Sequence, residues 1–443
     1  MLKFQFARGL LHAKYDLDRF QLSLKRLDAH DFPSASAKDR IQHLSKQLGD
    51  TESKLNAIEQ DYSADPIGAS DRLVSEYRKL VRNRSQLEVL DRARSDEVPW
   101  SLVPSIEKLA NQIMPKRDLL LTTTPDMNYM VSWSPSAAHK FVTVYLPGLH
   151  RANAFLHILI AHELFHPIVE PFVVSEQSNI DTRLRDECKK LVGKSAQPLF
   201  DQQRLDQLVH YTLQAWQQIL RELMCDMGAV AIFGPAALWT ISSFAATCEL
   251  DLEPAPETQF YPPWRMRLAT AIEYLKEKED LEDKLNHLAK TLREATHTTH
   301  ADAVLVGIKN EEKLTKVPTA APTNPLIQIA YDCINESLDR AKSEVKRLST
   351  SYPRRWSSSI EEVASLIGRL ELMVPPCEII ESGKHESQPA SFSAILTAAW
   401  VKRLTLETTG LELSKYRELC RLTLKAIEDA DLKSDFLAWK GTL

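Results

Sequence analysis

The chain has 443 residues, a formal net charge of −5, 44% hydrophobic and 26% charged residues, and only 12 Gly. Those values describe an ordinary globular protein, long enough for two or three domains with a sizeable core. Charges of both signs are interspersed, and neither G-x-G-x-x-G nor a P-loop occurs, so nucleic acid and nucleotide partners are excluded from the reading.

Six cysteines (Cys188, Cys225, Cys248, Cys333, Cys377 and Cys420) stand at wide, irregular spacings without a C-x-x-C pair. That pattern predicts reduced, mostly buried thiols and a cytoplasmic location rather than a disulfide framework. The N-terminal stretch MLKFQFARGLLHAKY lacks both a continuous apolar core and a small-residue cleavage site, so it does not read as a secretory signal. It also lacks the serines of a transit peptide.

Residues 1–97 read as helical and charged. Ile41, Leu44, Leu48, Leu55, Ile58 and Tyr62 follow a three-four spacing interrupted at Thr51. Leu73, Tyr77, Leu80 and Leu87 repeat it, with Arg84 breaking the run. Asp65-Pro66 and Gly68 separate the two runs, which predicts an antiparallel helical hairpin resembling a short coiled coil. Such stripes usually pack on their own chain; a homo-oligomer or a protein partner is the alternative.

From Trp100 the pattern changes. Residues 119–123, 129–133 and 140–146 predict short strands, the first two around the turn Pro125-Asp126. The third, KFVTVYL, stands just before the most distinctive stretch of the chain. Its free edge can pair with an extended substrate backbone, unless it is an ordinary interior strand.

Residues 154–167 read AFLHILIAHELFHP and contain His162, Glu163 and His166 as H-E-x-x-H. Four residues apart on a helix, the two histidines can offer their nitrogens to one ion, for which zinc is suited. Glu163, one step round the helix, can reach a water at that ion as general base. The surrounding residues are almost all apolar, which predicts a buried central helix. Burying two His and a Glu is costly unless they are paired or bound to metal. Pro167 lacks an N–H and clashes one turn back, so the helix is expected to end or kink near His166. A further helix is expected at 182–191.

A catalytic zinc takes a third protein ligand and keeps the fourth position open. Residues 205–233 read as a long apolar helix carrying Glu222 and Asp226, again one turn apart. Glu222 can serve as that ligand while Asp226 accepts the free N–H of a ligand histidine and fixes its tautomer. The alternative is that both acids pair with bases elsewhere. Two further histidines, His157 and His210, read as structural.

H-E-L-F-H followed at a distance by E-L-M-C-D resembles the gluzincin metallopeptidases. It is most similar to their prenyl-protein-protease-like and neprilysin-like branches, over roughly residues 118–275. The resemblance implies a zincin-like core, with Zn2+ held by His162, His166 and Glu222, Glu163 as base and Asp226 behind the ligands. A protein or peptide is the substrate class it implies. YPPWRMRL resembles the Pro-Pro turn and basic helix that follow the glutamate helix in that family, with Tyr261 where those relatives usually carry His.

Between these, the most membrane-like run, 228–247, is broken by Gly234-Pro235, which predicts two buried core helices and no membrane span. The loop 251–263 leads into a helix at 264–277. Tyr261 and Arg265 are candidates for an oxyanion donor folded back over the metal, with Arg267 an alternative to Arg265. The run THTTHAD reads as a polar loop and 311–325 as a linker. Residues 326–443 contain at least four helical patterns and no motif carrying chemistry.

The expected fold is α+β and predominantly helical. A zincin-like core over 98–310 holds the small sheet, between helical regions at 1–97 and 326–443. The expected function is zinc-dependent peptide hydrolysis; the alternative is a catalytically inactive zincin-like protein that binds partners through its helical flanks.

Overall fold

The computed structural model describes residues 3–94, 102–114, 117–124, 129–133, 141–150, 152–191, 198–245, 260–316, 322, 324–352, 355–379, 387–410 and 412–442. The protein is predominantly helical with a small sheet. It divides into two compact units, Met1–Pro104 with Lys116–Arg151, and Ser105–Pro115 with Ala152–Leu443.

In the first unit, α1 (Lys3–Asp28), α2 (Ser36–Asp61) and α3 (Pro66–Arg92) share one core. The expected hairpin is α2 and α3, and α1 adds a third wall. Phe6, Leu10, Leu17, Phe20, Leu24 and Leu27 recur every three to seven residues and meet Ile41, Leu44, Leu48, Leu55, Leu73 and Leu80. Three helices enclose apolar stripes that a pair leaves open on one side. Thr51, which interrupts the α2 stripe, is buried with its hydroxyl donating to the Gln47 carbonyl at 3.0 Å. Tyr62 stacks on Phe6 at 3.9 Å. Asp65 caps α3 by accepting from the Gly68 N–H at 2.9 Å, and Pro66 occupies a first-turn position where no N–H is missed. The Arg84 side chain and the Pro125-Asp126 turn lie outside the described residues.

The sheet of this unit contains β1 (Asp118–Thr124), β2 (Met130–Trp133) and β3 (Phe141–Pro147), in the order β1-β3-β2. β3 pairs parallel with β1 and antiparallel with β2. It is the central strand with both edges occupied, so of the two readings the ordinary interior strand is the one observed and no free edge is left on β3 for a substrate backbone. The physical reason is in its composition, since consecutive Val142, Thr143 and Val144 are buried on both faces. The sheet is tied to its helices by Thr122 Oγ1 donating to the Val89 carbonyl at 2.9 Å and Arg40 Nη1 to Thr143 Oγ1 at 2.6 Å.

α4 (Val103–Ile113) passes from one unit into the other, and its Ser105 and Lys108 bond to Asp431 at 2.6 and 2.9 Å. The second unit then runs through a 3-10 turn (Ala154–Ile158), α5 (Leu159–Leu191), α6 (Pro198–Phe233), α7 (Pro235–Ala245) and α8 (Trp264–Glu279). It continues with α9 (Leu281–Glu294), α10 (Thr298–Lys316), α11 (Pro325–Ser349) and α12 (Ile360–Glu371). The two-residue strands β4 (Glu378–Ile379) and β5 (Gln388–Pro389) precede α13 (Phe392–Thr409) and α14 (Leu413–Thr442). Residues 311–316 complete α10 instead of opening a linker, and 317–321 lie outside the described residues. α11 packs on α5, α6 and α8, so helices on both sides of residues 317–321 form one unit. Buried Glu176 of α5 accepts from Ser337 of α11 at 3.0 Å and from Arg340 Nε at 2.8 Å.

Two expectations for this unit change. α5 does not end at His166 but continues through Pro167 and Pro171 to Leu191, taking in the separate helix expected at 182–191. The prolines are four apart, so their missing N–H bonds fall on one side of the helix, while α6 and α11 pack against it. Tertiary packing overrides the local preference to stop. The THTTHAD run is also helical: α10 starts at Thr298, and buried His300 stands 3.0 Å from Glu371.

Glycine permits two close approaches. A Cβ on Gly228 of α6 would stand 2.4 Å from the Phe165 ring of α5, so its absence lets these helices meet. Gly234, at φ +57, ends α6 and lets α7 start at Pro235, where the broken apolar run predicts two helices. Among the described helices, residues 154–191 alone are long and apolar enough to cross a membrane, and 67% of the most apolar 18 residues within them is buried inside the protein.

Candidate metal centre

The first turns of α5 carry His162, Glu163 and His166, all buried. Their spacing stacks the two imidazoles one turn apart, with ring centroids 5.0 Å apart and planes at 81°. α6 faces them with Glu222, Cys225 and Asp226, also buried, at positions i, i+3 and i+4 of one helix face. Glu222 stands between the histidines. Its Oε2 lies 3.3 Å from His162 Nε2 and its Oε1 lies 3.7 Å from His166 Nε2. Glu163 Oε2 is 3.9 Å from His166 Nε2. Asp226 Oδ1 is 2.8 Å from His162 Nδ1, so Nδ1 donates and Nε2 is turned toward Glu222.

α8 supplies the group behind Asp226. Arg267 Nε and Nη2 donate to the two Asp226 oxygens at 2.7 and 2.9 Å, and its Nη1 is 3.5 Å from Glu222 Oε2. The fork is fully engaged, and its guanidinium carbon lies 4.2 Å from the Trp264 ring centroid. Arg265, two positions earlier, points elsewhere: its Nη1 donates to the Leu314 carbonyl. The structure therefore brings Arg267 to the centre and does not bring Arg265, because residues two apart on a helix face different ways. Two further residues escape the motif. Gln218, one turn before Glu222, donates to Glu222 Oε1 at 3.0 Å. Arg221 donates to Gln218 Oε1 and to Glu170 Oε2, both at 2.7 Å. The i,i+4 spacing of Gln218 and Glu222 is the only sequence signal for this chain of bonds.

Tyr261 lies in the field of Glu222 and Glu163. Burial, together with those two carboxylates, pushes its phenol up to about 12, so it remains an O–H donor at neutral pH. It is nevertheless 44% exposed, whereas His162, Glu163, His166 and Glu222 are buried. Phe260 before it holds φ +61, a left-handed conformation that bulky residues rarely adopt, with its ring edge-on to Tyr211 at 4.8 Å. Residues 251–259 of the loop expected to fold back lie outside the described residues. His157 is buried within the 3-10 turn, and His210 is exposed on α6.

The charges are unequally held. Burial alone would depress His162, but Asp226 and Glu222 overturn that and carry it up to about 10. Burial dominates at His166 and takes it down to about 4. Burial would raise Glu222, yet His162, His166 and Arg267 bring it down to about 2. Asp226 is held well below the usual carboxylate range by Arg267 and His162, against its burial. Burial pushes Glu163 up to about 7. Without a metal, the cations His162 and Arg267 thus balance the anions Glu222 and Asp226.

These residues fit a metal ion. Tetrahedral ligands at roughly 2.0–2.1 Å stand about 3.3 Å apart, close to the two Glu222–histidine separations. His162 comes with the carboxylate partner that metal-bound histidines use. His162, His166 and Cys225 also form a buried group whose ligand atoms lie within 4.8 Å of one another. A doubly charged ion replacing the His162 proton leaves the cluster one positive charge in excess, which an ionised Glu163 cancels. Comparison of the chain with models of known protein families, with curated proteins and with solved structures finds no match.

Proposed function

We propose that this chain is a zinc metallopeptidase with a zincin-like, gluzincin-type centre. The observation that carries the reading is the convergence of His162, His166 and Glu222 in one buried cluster, with Asp226 on the outer nitrogen of His162. His162, His166 and Glu222 hold the ion. When bound there, zinc supplies Lewis acidity and brings the pKa of a water near neutrality.

The remaining chemistry belongs to the chain. Glu163 takes the proton from the attacking water and passes it to the leaving amine. Glu163 is a buried carboxyl beside the histidine ligands, placed for both transfers. Asp226, clamped by Arg267, fixes the His162 tautomer. Tyr261 donates its phenol O–H to the oxyanion that develops on the carbonyl. The experiment is hydrolysis of unstructured peptides by the zinc-loaded protein, with loss of activity on chelation and in Glu163→Gln. Wild type and Cys225→Ala that both bind zinc and are both inert would favour the partner-binding alternative.

The donor assignment has its own expected result. Tyr261→Phe should lower kcat by roughly 10²–10³ with little change in KM or zinc content. Arg265→Ala should leave kcat within a factor of about three, because that side chain is committed to the Leu314 carbonyl. The reverse outcome in steady-state kinetics would move the donor to the other residue.

A further inference from the structure

Cys225 has no part in the chemistry above, yet it occupies a central position. It is fully buried on α6, between Glu222 and Asp226 in sequence and on the same helix face. A buried free cysteine is often only a small apolar side chain. At this position, however, a ligand atom of Cys225 and one from each histidine all lie within 4.8 Å of one another. Glu222 stands 3.3 and 3.7 Å from the same two histidines. Cys225 and Glu222 therefore both lie beside the same pair of histidines.

Four protein donors make a different site from three. Structural zinc is closed by four protein ligands, whereas catalytic zinc keeps one position free for water. Tetrahedral geometry puts nitrogen and sulfur about 3.5 Å apart, a contraction within reach of side-chain rotation. Charge agrees with this. A doubly charged ion leaves the cluster one positive charge in excess, and a thiolate cancels it as fully as an ionised Glu163 does.

We propose that Cys225 is a fourth protein ligand of this centre and closes it in the resting protein. The inference rests on the metal reading above and concerns its regulation. The thiol proton leaves to solvent as sulfur coordinates. Opening reverses this: sulfur departs and takes up a proton from solvent, which frees the fourth position. The closed form is inert and the open form hydrolytic.

The test is the absorption spectrum of the full-length protein loaded with cobalt(II) in place of zinc. Wild type is expected to show the visible bands of tetrahedral cobalt together with a near-ultraviolet thiolate-to-cobalt band. Cys225→Ala and Cys225→Ser should lose the near-ultraviolet band and keep the visible ones. Visible bands without the thiolate band in wild type would overturn this proposal while leaving the metal centre standing. A thiolate band that survives both substitutions would also overturn it, since the sulfur would come from elsewhere. No visible bands at all would remove the metal centre and this inference together. If neither variant folds, X-ray absorption of the zinc-loaded wild type decides, through a sulfur neighbour at roughly 2.3 Å or its absence.

Discussion

Glu163→Gln is expected to keep its zinc and to lose roughly 10²–10⁴-fold in kcat for peptide hydrolysis. The substitution preserves shape and volume but leaves no group able to take a proton. Glu163 lies 3.9 Å from His166 Nε2, on the edge of the ligand set, whereas Glu222 stands between both histidines. Metal retention should therefore be nearly unaffected. The measurement pairs zinc content with steady-state kinetics, run both with Cys225 present and with Cys225→Ala, so that a closed centre does not hide the effect. Zinc loss equal to that of a ligand substitution would show that Glu163 is itself a ligand. Activity within a factor of about three of the parent would remove it as the base.

Arg267→Met should be the most destabilising single change around the centre, by about 3–5 kcal/mol in denaturant unfolding of the metal-free protein. Asp226 and Arg267 are both buried and bonded through two parallel N–H donors. Removing the guanidinium strands a buried carboxylate beside Glu222. Arg267→Lys keeps the charge without the fork and should recover only part of the loss. Arg267→Met combined with Asp226→Leu removes both members and should recover most of the stability. It should not recover metal binding, because His162 has then lost the acceptor on Nδ1, a loss costing about 10–100-fold in affinity. The pH dependence follows from the direction of the Asp226 shift. Its pKa is lowered in the folded state, so its stabilisation is present above roughly pH 4 and is lost as pH falls through the depressed value. Stability of Arg267→Met within about 1 kcal/mol of wild type would contradict this account of the pair.

What the sequence makes legible here follows the range of the interactions. His162, Glu163 and His166 lie within one turn and a half of a helix, so their grouping is a matter of local spacing. Glu222 and Asp226 are legible for the same reason once a third ligand is sought. Gln218 belongs to that local class too, but glutamine one turn before a glutamate is common on any helix. Choosing between Arg265 and Arg267 needs the rotation of α8 about its axis, which is set by packing against α6 and not by residues 264–267. The same holds for Pro167: its local cost is readable, while the packing that keeps α5 helical comes from elsewhere in the unit. Strand positions follow from β-branched runs, but the order β1-β3-β2 depends on a parallel pairing between non-consecutive strands, so the sequence leaves open whether the third strand lies at an edge or, as found, in the middle. The first apolar stripe, from Phe6 to Leu27, hides the third helix of the N-terminal core because polar residues dilute its spacing.

The central claim is that His162, His166 and Glu222 hold one zinc ion, and metal analysis of purified protein tests it most directly. After exposure to zinc and removal of the excess, wild type should carry one zinc per chain. His162→Ala and Glu222→Ala, shown by circular dichroism to be folded, should each carry almost none. A zinc-free wild type, or folded His162→Ala and Glu222→Ala proteins that keep a full equivalent, would contradict the account.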